Sequence, residues 1–94
     1  MFRFIRGEER HLKFFVHSTE NERFKVKEAQ WRLLLKGEEE ASGVCEVYEA
    51  ECSKYGWEVD AKISPLTVSR CYELEITLKI SDEIVKHRES IEVV

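Results

Sequence analysis

From Arg70 to Ile80 the chain alternates without a break, with Tyr72, Leu74, Ile76, Leu78 and Ile80 at one parity and Cys71, Glu73, Glu75, Thr77 and Lys79 at the other. Such a period of two predicts a half-buried strand, because successive side chains of extended backbone point to opposite faces. A helix with this pattern would scatter its apolar groups around the whole circumference and bury its glutamates. Alternation recurs from His11 to Ser18, where Leu12, Phe14 and Val16 interleave with Lys13, Phe15 and His17. It recurs again where Trp57, Val59, Ala61 and Ile63 interleave with Glu58, Asp60 and Lys62, until Pro65 stops the ladder. Phe2 to Arg6 reads as an opening strand. A turn near Ser81-Asp82-Glu83 sends the chain back through Ile84 to Glu89, and Ser90 to Val94 either continues that strand past a bulge or forms its own.

The middle of the chain is less regular. Lys27 to Lys36 is rich in helix formers, yet Ala29, Trp31, Leu33 and Leu35 share one parity, which favours a strand over a short helix. Thr19 to Glu22 reads as a turn. Residues 37–43 read as a charged loop bracketed by Gly37 and Gly43, followed by a weaker strand from Val44 to Cys52 and a hairpin turn through Ser53-Lys54-Tyr55-Gly56.

Seven or eight short strands with turn signals every ten residues or so predict an all-β fold, specifically an immunoglobulin-like antiparallel β-sandwich forming one domain over residues 1–94. The expected core is Phe4, Leu12, Phe14, Val16, Trp31, Leu33, Trp57, Val59, Ile63, Tyr72, Leu74, Ile76 and Leu78. The disulfide and tryptophan arrangement of antibody domains is not evident; Cys45 and Cys71 bracket Trp57 in order, but neither has a clear place on the core face.

Composition narrows the function. A 94-residue chain has room for one core, burying roughly two thirds of its unfolded surface. Its net charge of -4 argues against nucleic acid and against an anionic membrane surface, both of which reward clustered basic groups. The longest apolar run is Leu33-Leu34-Leu35, and the opening Phe2-Arg3-Phe4-Ile5-Arg6 leads into Gly7-Glu8-Glu9 rather than a signal-type stretch, so a cytosolic protein is expected. Cys45, Cys52 and Cys71 cannot all pair and lack zinc-knuckle or redox spacing; reduced thiols are the expectation, with a bridge from Cys45 or Cys52 to Cys71 as the alternative.

No catalytic constellation stands out. His11 and His17 share a strand face but lie six residues apart, roughly 20 Å along extended backbone. Glu38-Glu39-Glu40 lacks the aspartate and glycine spacing of a calcium loop. Glu73 and Glu75 share a face, which the polar side of a strand explains as well as an acid and base pair does. The reading is therefore a non-enzyme without cofactor or metal. The informative residues are instead apolar ones at parities assigned to solvent, namely Ile5, Phe15, Leu34 and Val85. Clustered on neighbouring strands they would form an exposed protein-contact patch; a covering loop or a local bulge is the structural alternative.

Four segments carry a family resemblance: Phe2-Arg3-Phe4-Ile5-Arg6-Gly7-Glu8, Leu12-Lys13-Phe14-Phe15-Val16, Glu22-Arg23-Phe24-Lys25-Val26-Lys27-Glu28-Ala29-Gln30-Trp31 and Tyr72-Glu73-Leu74-Glu75-Ile76. In this order they resemble the small immunoglobulin-like domain at the amino terminus of baseplate upper proteins, and related structural proteins, of phages and prophages of Gram-positive bacteria. Glu8 stands where that family has aspartate, and residues 25–29 lack its threonine and glycine before the alanine. The resemblance implies a virion-associated building block that contacts other phage structural proteins or itself, as a homo-oligomer, and it brings no catalytic residues. The alternative is a free-standing cytosolic β-sandwich module, an adaptor or inhibitor with one protein partner.

Overall fold

The computed structural model describes residues 2–17, 24–49, 56–80 and 82–94. They form eight strands: β1 (Phe2–Phe4), β2 (Arg10–His17), β3 (Val26–Leu35), β4 (Glu38–Val44), β5 (Glu46–Glu49), β6 (Gly56–Ile63), β7 (Ser69–Ile80) and β8 (Glu83–Val93). Two sheets result, one of five strands in the order β1-β8-β7-β3-β4 and one of three in the order β2-β6-β5. All pairings are antiparallel except β1 with β8, which run parallel. No helix occurs among the described residues.

The inward parity of each strand meets between the sheets. Phe4, Leu12, Leu33, Val59, Ile63, Tyr72, Leu74, Ile76 and Leu78 are buried as expected, with Phe14, Val16, Trp31 and Trp57 packed against them at the margin. Val26, Ala29, Cys45, Ala61, Ile91 and Val93 complete the cluster. Residues 90–94 do not form a separate strand. Ile91 and Val93 continue β8 inside the core, while a bulge at Arg70-Cys71 in β7 takes up the change in register between Ser69 opposite Val93 and Tyr72 opposite Ile91. Residues 27–36 are strand as far as Leu35, as Ala29 and Leu33 on the core side require.

The charged loop expected at residues 37–43 is instead most of β4. Lys36 and Gly37 both have positive φ, 52° and 83°, which is the geometry of a two-residue hairpin turn whose twist matches the flanking strands. Leu35 and Glu38 then pair directly, so the acidic run begins a strand rather than a loop. Acidic residues are tolerated there because β4 is a sheet edge, open to water. The weaker strand expected from Val44 to Cys52 divides as well. Val44 ends β4, and buried Cys45, whose N–H donates to the Ala29 carbonyl at 2.9 Å, carries the chain to β5 in the other sheet. The turns expected at residues 19–22 and 53–56 fall outside the described residues, apart from Gly56, which opens β6.

β4 bulges where Leu33 pairs with Ala41 and Leu34 with Glu39, leaving Glu40 as the extra residue. Its Oε1 accepts the Tyr72 hydroxyl proton at 2.6 Å, and the same hydroxyl oxygen accepts from the Thr67 N–H at 3.1 Å. Burial, and secondarily the bond to Glu40, push the Tyr72 phenol up from its ordinary value, so it stays a donor at neutral pH. Removing the hydroxyl by Tyr72→Phe leaves Glu40 and the Thr67 amide without this partner, and is expected to lower stability by about 1–3 kcal/mol in urea unfolding.

Candidate protein-contact surface

The five-stranded sheet is wider than the sheet that covers it. In register, Val85 of β8 stands opposite Leu78 and His87 opposite Ile76, so both point to the inner face. The solvent parity expected of Val85 is therefore corrected by its pairing with Leu78, but the covering sheet ends at β2 and Val85 still remains 41% exposed. A seam of about 320 Å³ therefore runs between β2 and β8, with Phe14, Phe15, Val16 and His17 on one wall, Val85 and His87 on the other, and Val59, Ile76 and Leu78 as its floor. The His87 ring sits edge-on to Phe14 at 5.9 Å between centroids, and its Nε2 lies 2.7 Å from Glu89 Oε1.

Beside this seam the backbone of β8 is open. β1 pairs only with Ile91, Glu92 and Val93, so among the described residues 83–90 are hydrogen-bonded to β7 alone. An interior strand satisfies its amides and carbonyls on both sides; an edge strand offers half of them to water or to another strand. Apolar floor and open edge thus lie together.

Of the four residues singled out by parity, the structure brings Phe15 and Val85 to this seam and separates the other two. Phe15, 49% exposed, stacks on His17 at the rim with ring centroids 5.6 Å apart. Ile5 is 67% exposed but sits in the turn after β1, beside Val94, held by bonds from Val94 N–H to the Phe4 carbonyl and from Arg6 N–H to the Val94 carbonyl. That places it roughly 30 Å along β8 from Val85 at the rise of extended backbone. Leu34 is only 7% exposed and so belongs to no exposed patch. It lies on the outer face of an interior strand between Glu39 and Glu73, where long charged neighbours cover an apolar side chain with their stems. Phe14, Val16 and His87 escape a parity argument, because their inward direction predicts burial and only the width of the covering sheet reveals them.

The outer face of the same sheet holds a second feature. Glu75 is 3% exposed although its parity assigns it to solvent. Its Oε1 accepts from Arg32 Nη2 at 3.0 Å, and Arg88 Nη2 lies 2.9 Å from Oε2, held by charge rather than by an aligned hydrogen bond. Arg88 also donates to Glu73 at 3.1 Å. These groups cross β3, β7 and β8 as a ladder that ties the strands together.

His11 Nδ1 lies 2.8 Å from Asp60 Oδ1, on the other sheet from His87. Among the described residues no group of three His, Cys, Asp or Glu side chains could hold a metal ion. Cys45 and Cys71 are free thiols, and burial pushes the Cys45 thiol up to about 11, away from nucleophilic use. Among the described residues no helix is long and apolar enough to cross a membrane. Comparison with family models, curated proteins and solved structures finds no match, leaving the functional reading to the geometry of this surface.

Phe15→Asp is expected to leave the unfolding midpoint close to that of the unchanged protein, since a half-exposed rim residue contributes little to the core. It should nevertheless weaken any association through the seam. Circular dichroism against temperature checks the first part; a large fall in the midpoint would instead make Phe15 a core residue.

Proposed function

We propose that the protein is a non-enzymatic contact module of immunoglobulin-like fold, acting as a structural or assembly component of a phage or prophage tail. The observation that carries the contact reading is the open β8 edge lying against an apolar seam. Strands add to such edges through backbone hydrogen bonds, while alternate side chains fill the adjoining pocket.

The immunoglobulin-like reading draws its support from connectivity. Taken in chain order as A, B, C, C′, D, E, F and G, the strands group as G-F-C-C′ and B-E-D, with β1 added alongside β8. Tyr72 stands near the start of the F-equivalent strand and bonds to backbone upstream, as the tyrosine corner of such domains does. Leu74, two residues on, occupies the place of the second cysteine, and Trp31 lies on the C-equivalent strand. A hydrophobic core replaces the bridge.

The phage assignment draws its support from the resemblance of residues 2–8, 12–16, 22–31 and 72–76 alone. A free-standing adaptor or inhibitor is the second reading, favoured by the short open length at residues 83–90, which suits one segment of one partner. Fractionating the source cells after prophage induction, and following the protein with an antibody, separates the two. Co-sedimentation with tail particles supports the first; a stable soluble complex with one other protein supports the second; recovery only as a free protein counts against both.

A further inference from the structure

We infer that the protein adds to copies of itself head to tail, with β4 of one copy extending the five-stranded sheet at the β8 edge of the next. The inference rests on reading the β8 edge as a contact surface and names its partner. Both ends of the described sheet are strand edges: β4 along Glu38–Val44, and β8 along residues 83–90 where β1 does not reach. The two open lengths are closely matched, at seven residues and eight.

Strand direction permits the joint. The strands β8, β7, β3 and β4 alternate in direction, so a neighbour in the same orientation brings its β4 antiparallel to β8. Charge favours it. Lys86 is exposed on the outer face of β8 and Glu39 on the outer face of β4, whereas Glu38, opposite Leu35, has inner parity; neither Lys86 nor Glu39 makes an ion pair among the described residues. Arg88, the next outer residue of β8, adds to the positive edge although it already serves Glu73 and Glu75. Opposite charges across paired strands stabilise, and like charges directly opposite oppose pairing.

The same charges disfavour the simplest competitor. In its two longest registers, centred on residues 86 and 87, a two-fold β8–β8 pair must place Lys86 opposite Lys86 or Lys86 opposite Arg88. A β4-to-β8 joint is heterologous, so it leaves one edge of each kind exposed and goes on growing unless the rotation closes a ring.

The test is sedimentation velocity on the full chain over a concentration series at low and high ionic strength, because salt screens exposed charges. The expected result is a mass distribution that grows with concentration at low salt and falls toward monomer at high salt. Lys86→Glu and Glu39→Lys should each remove growth, since each makes the two edges of its own chain alike in charge. An equimolar mixture of the two variants should restore it: the reversed β4 edge of one variant meets the reversed β8 edge of the other, and the two unaltered edges meet as they do in the wild type. A monomer under all conditions, a dimer that stops growing, or growth indifferent to both reversals overturns the inference. A monomer leaves the contact reading itself to the fractionation experiment, which does not depend on self-association.

Discussion

Leu74→Ala should lower the stability of the domain by about 2–5 kcal/mol, whereas Val85→Ala should change it by less than about 1 kcal/mol. Both residues are apolar and both point to the inner face of the five-stranded sheet. Leu74 is 0% exposed, on a strand with neighbours on both sides, and stands in register with Leu33, itself fully buried. Truncating it removes the transfer free energy of the lost carbons and leaves a cavity that two sheets cannot collapse to fill. Val85 lies beyond the edge of the covering sheet, so water already reaches it and no closed cavity forms. Against a total of about 5–15 kcal/mol typical of a domain, the first change approaches unfolding. Paired urea titrations followed by circular dichroism check it. Equal losses for the two variants would mean that the seam is closed in solution and is core rather than contact surface.

Removing both arginines beside Glu75, as Arg32→Ala with Arg88→Ala, is expected to cost about 3–5 kcal/mol, because it strands a carboxylate that is almost wholly buried. Glu75→Leu is expected to be close to neutral. It removes the desolvated charge, keeps apolar bulk beside buried Leu34, and leaves two arginines that are already half in water. The contrast separates two accounts of the ladder. If charge pairing were itself the main source of stability, Glu75→Leu would cost as much as the loss of both arginines. Thermal and urea unfolding of the three proteins decides between them, with unchanged strand content as the control.

These variants also mark where residue pattern is informative and where it is not. The parity of residues 70–80 correctly sorts Leu74 inward, and the same rule sorts Leu12, Val59 and Leu33, since extended backbone leaves each side chain only two directions. Parity says nothing about what lies over a face. Glu75, Leu34 and Val85 are the failures. Two residues read as outward are buried, Glu75 between arginines of β3 and β8 and Leu34 between Glu39 and Glu73. Val85, also read as outward, is turned inward by its pairing with Leu78 and left in the open only by a narrow covering sheet. The acidic segment at residues 38–40 departs from its expected loop for a related reason. Its composition suits a loop, but a Lys36-Gly37 turn and an edge position suit it equally to a strand.

The sequence by itself determined that the protein is built of strands and, for most of its inward apolar residues, which would form the core, because period-two alternation is a local property of extended backbone. Only the tertiary structure decided which strands are edges, how far one sheet overlaps the other, and hence that Phe15 and Val85 share a seam while Leu34 is buried and Ile5 lies at the far end of β8. Those facts depend on pairings between residues such as Phe2 and Ile91, almost the whole chain apart, and no local pattern encodes a contact at that distance.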